Sequence, residues 1–91
     1  MINDTLTERG NRYGSFYDNA TLTQALKDTM RLTNKWDDLE ADQKEALEMI
    51  AHKISRILNG DPNYDDSWHD IAGYATLVEN RLKWNLSKLR P

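Results

Sequence analysis

Apolar residues recur at helical spacing through most of this chain. Leu47, Ile50, Ala51, Ile54, Ile57 and Leu58 fall at i, i+3, i+4, i+7, i+10 and i+11, the 3.6-residue period of an amphipathic helix. Side-chain oxygens across Glu40–Asp42 place its start, and Asn59-Gly60-Asp61-Pro62 ends it. Glycine suits the left-handed position after a helix, and proline cannot continue one. Upstream, Thr21 with Gln24 three residues on has the form of a capping box. Leu22, Ala25, Leu26, Met30 and Leu32 then supply the stripe of a first helix, and Asn34 to Asp38 form the connection, with Trp36 as its apolar anchor. A third helix opens near Asp65 or Asp66, with Trp68, Ile71, Ala75, Val78 and Leu82 as its main apolar face. Trp84, Leu86 and Leu89 extend it or form a short separate segment.

Residues 1–20 lack sustained periodicity and contain Gly10, Asn11, Gly14 and Asn19, so they read as an irregular arm. Arg12, Tyr13, Phe16 and Tyr17 give that arm enough aromatic surface to dock on the body or on another subunit. The expected architecture is all-α: a single helical domain over 1–91, with an arm at 1–20 and a body at 21–91. The body has three main helices, or four where the C-terminal segment breaks.

Ninety-one residues make one domain. A chain this short has a marginal core of its own, and Trp84, Leu86 and Leu89 lie beyond the three-helix stripe, so self-association, as a dimer, is expected. With 38% hydrophobic and 30% charged residues, a mean hydropathy of -0.83 and no long apolar run, no membrane partner is expected. The N-terminus carries no basic-then-apolar stretch, and the chain has no cysteine, which fits a cytoplasmic location and excludes thiolate chemistry.

The net charge of -3 is unevenly spread. Asp37–Glu48 carries six acids against Lys44 alone, Asp61–Asp70 carries four acids without Lys or Arg, and bases dominate after Glu79. Direct nucleic-acid binding is not expected, because phosphate contacts need a basic stripe. Acids at helix starts and bases at a helix end answer the macrodipole; the alternative is an acidic pocket for a divalent cation.

At about 100° per residue, Asp66, Asp70, Gly73 and Leu77 share a second stripe on the third helix. Gly73 there allows close helix packing or the approach of a ligand. The Asp66/Asp70 pair has the oxygen ligands that Mg²⁺ takes. On the middle helix, Glu45, Glu48, His52 and Arg56 share a face. That face is either solvated and ion-paired, or its Glu45 and Glu48 complete the carboxylate set. Lys53 can reach phosphate oxygens or snorkel over the core. His52 and His69 have no zinc spacing, and Asp66 and Ala72 stand where a calcium loop needs glycine and glutamate. No phosphate-binding glycine loop or hydrolase elbow occurs.

Arg12-Tyr13-Gly14, Lys53-Ile54-x-Arg56 and Asp66-x-x-x-Asp70-Ile71-Ala72-Gly73-Tyr74-Ala75 form an ordered pattern. It resembles a family of small phage and prophage proteins of unknown function, over about residues 9–82. More distantly, the layout is similar to the all-α nucleoside triphosphate pyrophosphatases of the MazG and dUTPase type. Those enzymes hold Mg²⁺ with a Glu-x-x-Glu on one helix and a Glu-x-x-Asp on the next. Glu45-x-x-Glu48 matches the first element and Asp70 the last aspartate; Ser67 stands in the glutamate position, with Asp66 one residue displaced.

The resemblance implies a Mg²⁺-dependent nucleotide pyrophosphohydrolase or a degenerate, nucleotide-binding relative. Glu45, Glu48, Asp66 and Asp70 would hold the metal. Arg12 would contact the nucleotide, Lys53 and Arg56 would steady its phosphates, and Tyr13 or Tyr74 would stack on a base. No catalytic residue is assigned. The alternative is a phage accessory protein that sequesters a nucleotide or binds and inhibits a host defence protein through its acidic surface. In each case the setting is the cytoplasm of an infected or lysogenic bacterial host.

Overall fold

A computed structural model describes residues 2–88. Helices α1 (Ile2–Tyr13), α2 (Phe16–Arg31), α3 (Ala41–Asn59) and α4 (Asp65–Lys88) follow one another, with a 3₁₀ turn at Trp36–Asp38 between α2 and α3. No strand occurs among the described residues, so the chain is all-α. Leu89 and Arg90, expected at the end of the apolar and basic tail, lie outside the described residues.

Residues 2–20 depart from the expected irregular arm. They form α1 and the first turn of α2, and the chain breaks only at Gly14-Ser15. Gly10 stays inside the helical path, its carbonyl accepting the Gly14 N–H at 2.9 Å. Ser15 is the true cap of α2: its Oγ accepts the Asp18 N–H at 3.1 Å, satisfying a donor with no intrahelical partner. Thr21, expected as that cap, lies inside α2, and its hydroxyl donates to the Tyr17 carbonyl one turn back at 2.9 Å.

α3 starts and stops where the sequence places it, although Gly60 ends it at φ -119° and not in the left-handed region. The Gln43 side chain accepts the Glu40 N–H at 2.9 Å, and the Gly60 N–H returns to the Arg56 carbonyl at 2.9 Å. Trp36 is buried, as an anchor should be. α4 runs unbroken through Trp84 and Leu86, so the C-terminal segment is a continuation.

α3 is the central helix, flanked by α2 and α4. Small polar side chains zip it to α2: Thr23 Oγ1 donates to Ser55 Oγ at 2.8 Å, Ser55 Oγ to the Ala51 carbonyl at 3.2 Å, and Asn59 Nδ2 to Asn19 Oδ1 at 3.1 Å. No buried side-chain N or O among the described residues lacks a partner, so this seam avoids the cost of an unmade bond. The buried apolar core is correspondingly thin, comprising Trp36, Ala46, Ala51 and Ile57.

Two glycines let α1 dock on the far end of α3. Gly14 has φ +83°, and a β-carbon there would stand 2.5 Å from the Asn59 carbonyl oxygen. One added at Gly60 would collide with the Arg12–Tyr13 backbone. The Asp61 N–H donates to the Arg12 carbonyl at 2.9 Å, closing the joint.

Candidate functional site

That joint brings Arg12-Tyr13-Gly14 beside Arg56 and Tyr64, although α1 and α3 are distant in sequence. Tyr13 is the centre. Its hydroxyl donates to Asp66 Oδ2 at 3.1 Å, and its ring meets Tyr64 edge-on at 5.8 Å between centroids. The Arg56 guanidinium lies 4.5 Å from the ring centroid and that of Arg9 5.6 Å, both within cation–π range. Burial, followed by the hydrogen bond to Asp66, raises the Tyr13 pKa above its ordinary value.

A cavity of about 590 Å³ opens beside this ring, in the size range of small-molecule sites; Arg9, Tyr13, Ser15, Phe16, His52 and Arg56 are among its walls. It has no carboxylate in its lining. Neither Arg9 nor Arg56 forms an ion pair among the described residues. His52 is kept below its usual pKa by burial and then by the charges of Arg56, Lys53 and Lys27. The N-terminus of α2, with the positive end of its dipole, lies in the same wall.

The remaining nucleotide candidates lie elsewhere. Arg12 is engaged by Glu8 at 2.8 Å and by the Tyr64 hydroxyl at 3.1 Å. Lys53 is only 8% exposed and its Nζ lies 2.9 Å from Asp70 Oδ2. Tyr74 lines a shallower groove on α4 with His69, Asp70, Gly73 and Leu77. A β-carbon on Gly73 would meet nothing within 4 Å, so close packing of another helix of this chain does not account for that glycine.

Each of the four candidate metal ligands has its own setting. Glu48 pairs with Lys27 and Arg31, both at 3.4 Å. Asp70 pairs with Lys53, whose hydrogen bond holds its carboxyl below the ordinary range. Asp66 accepts from Tyr13, and Glu45 borders a separate groove with Asp42 and Arg81. Among the described residues no three His, Asp or Glu side chains gather into a metal shell. The arrangement does not fit a magnesium ion held by these four groups, because cations or donors of the chain already face three of them.

Arg9, His52 and Phe16 are among the cavity residues that the motif pattern does not contain. The signal that finds Arg9 is the α1 period, since Arg9 and Tyr13 are four apart on one helix face, and His52 lies four residues before Arg56 on α3. No described helix is long and apolar enough to cross a membrane.

No curated protein and no solved structure matches the chain. A family model described as a domain of unknown function, DUF6378, matches residues 3–82, from α1 into α4. The chain therefore belongs to the DUF6378 family.

Proposed function

We propose that this protein binds a nucleotide by its phosphate groups in the cavity between α1, α2 and α3. One observation carries the reading. Two guanidiniums, Arg9 and Arg56, are held against one tyrosine ring at the cavity, neither in a direct ion pair among the described residues and with no carboxylate in the cavity lining. Like charges brought together in a partly desolvated place repel, and a polyanion relieves that repulsion with charge-assisted hydrogen bonds. His52 and the start of α2 add donors, and Phe16, 84% exposed at the cavity, offers a face for a base.

The carboxylates have a different part in this account. Lys53–Asp70 and Tyr13–Asp66 hold α4 and Tyr13 in place, which favours the nucleotide-binding branch of the pyrophosphatase resemblance over hydrolysis. Calorimetric titration with a nucleoside triphosphate, inorganic tripolyphosphate and the bare nucleoside tests it, each with and without Mg²⁺. The two phosphates should bind in both conditions, the nucleoside far more weakly, and no pyrophosphate should be released. Failure of both phosphates to bind overturns the proposal. Mg²⁺-dependent pyrophosphate release would instead restore the enzymatic branch.

A further inference from the structure

The face of the α3–α4 layer opposite the cavity is apolar and uncovered. At about 100° per residue, Leu47, Ile54 and Leu58 of α3 lie roughly opposite Glu45, His52 and Arg56. On α4, Trp68, Ala75 and Leu82 occupy the corresponding strip, away from Asp66 and Asp70. These were the residues expected to form the core face of that helix. Yet Leu58 is 68% exposed, Trp68 55% and Leu82 40%. An apolar hollow of about 270 Å³ between the two helices lies in this strip, with Leu47, Ile50, Ala75 and Val78 in its lining.

The chain as a whole carries surface that a monomer of its size does not. It exposes 6884 Å², against about 5,500 Å² for a folded monomer of 10.6 kDa. Its radius of gyration is 16.1 Å, where a compact chain of this length has about 12 Å. The surplus of about 1,400 Å² exceeds the roughly 800 Å² that each partner buries in a standard interface. α1, which buries none of its residues, contributes part of it. The contiguous apolar part is the α3–α4 strip.

We infer that a second copy of this chain covers that strip, its α3 and α4 packing on these two to form a four-helix bundle across a two-fold axis. A two-fold axis sets the same strip of each copy against the other, apolar against apolar. Glu79, four residues after Ala75, borders it and is paired within its own helix with Lys83 at 3.5 Å, so the strip asks for no opposite charge on the partner, and it runs along two antiparallel helices of similar length. The bundle points the two Tyr13 cavities outward, so assembly leaves phosphate binding open. The inference does not rest on the proposed function.

Light scattering with Ile54→Glu, Leu47→Glu and Leu77→Glu tests it, with circular dichroism confirming helicity. Leu77, 68% exposed, lies on the cavity side of α4 and serves as the control. At roughly 100 μM the wild type and Leu77→Glu should have twice the chain mass of 10.6 kDa. A helical Ile54→Glu or Leu47→Glu should fall to the single-chain mass and still bind tripolyphosphate if the wild type does. A wild type of single-chain mass overturns the inference, as does a dimer that both strip variants leave intact. Should both variants fail to fold, hydrogen exchange on the wild type decides: diluting the dimer to monomer should deprotect Leu47–Leu58 of α3, and no change there overturns it.

Discussion

Lys53 Nζ stands 2.9 Å from Asp70 Oδ2, tying the buried side of α3 to α4. Lys53 is among the most enclosed charged residues of the chain, and an enclosed ammonium depends on its partner. The Lys53 hydrogen bond lowers the folded-state pKa of Asp70 below its ordinary 3.8. A lowered carboxylate pKa gives stability that is present above the unfolded value and lost as pH falls through the folded one. Urea midpoints should therefore drop as pH falls below about 3.8, and Lys53→Met should flatten that dependence. Parallel acid profiles for the two proteins would contradict the assignment.

Tyr13 titrates in the opposite sense. Its raised pKa gives stability that is fully present below the ordinary value of 10.0 and lost as pH rises through the folded one. Tyr13→Phe should cost about 0.5–1.5 kcal/mol at neutral pH through the lost bond to Asp66. It should also lose less stability than the wild type above pH 10.0. Denaturant unfolding at neutral and alkaline pH measures both effects.

Gly14 is the hinge on which the cavity depends. With φ +83° and the Asn59 carbonyl at its face, Gly14→Ala should cost about 1–3 kcal/mol. Gly10→Ala, with nothing within 4 Å of its β-carbon, should be neutral or stabilising because Gly10 lies within a helix. Thermal unfolding of the two variants should rank them in that order.

His52 reports on the cavity from within. Burial and neighbouring cations hold its pKa below 6.5, so the ring is neutral at pH 7. A bound phosphate adds negative charge beside it and favours the protonated form. An NMR titration of the imidazole resonances should therefore show the His52 midpoint rising on addition of tripolyphosphate. Superimposable curves would place the phosphate elsewhere.

The central helix was legible from sequence because its signals agree. The Leu47–Leu58 period, the Glu40/Gln43 pair and Gly60-Asp61-Pro62 all mark one element with the same ends. The N-terminal region was misread because glycine and asparagine mark both loops and tolerated helix positions. Ser15-x-x-Asp18 and Thr21-x-x-Gln24 compete as caps, and Gly14 decides for the first by breaking the chain beside Ser15. Tyr13, Gly14, Arg56 and Asp66 were singled out by pattern, and folding brings them together. Their partners were not legible: which acid meets Tyr13, or that Lys53 takes Asp70, depends on helix rotation that a period specifies only to within a residue or so. The α4 stripe was read correctly as apolar, but one chain supplies too little of itself to cover it.

The most direct test of phosphate binding is calorimetric titration of a nucleoside triphosphate into the wild type, Arg56→Gln and Arg12→Gln. Arg56 lies at the cavity without an ion pair among the described residues, whereas Arg12 is engaged by Glu8 and Tyr64. Loss of a charged hydrogen bond costs about 1.5–3 kcal/mol, so Arg56→Gln should weaken binding roughly 10- to 100-fold. Arg12→Gln should stay within a few-fold of the wild type. Equal affinity in the wild type and Arg56→Gln, or no binding by the wild type, would contradict the account.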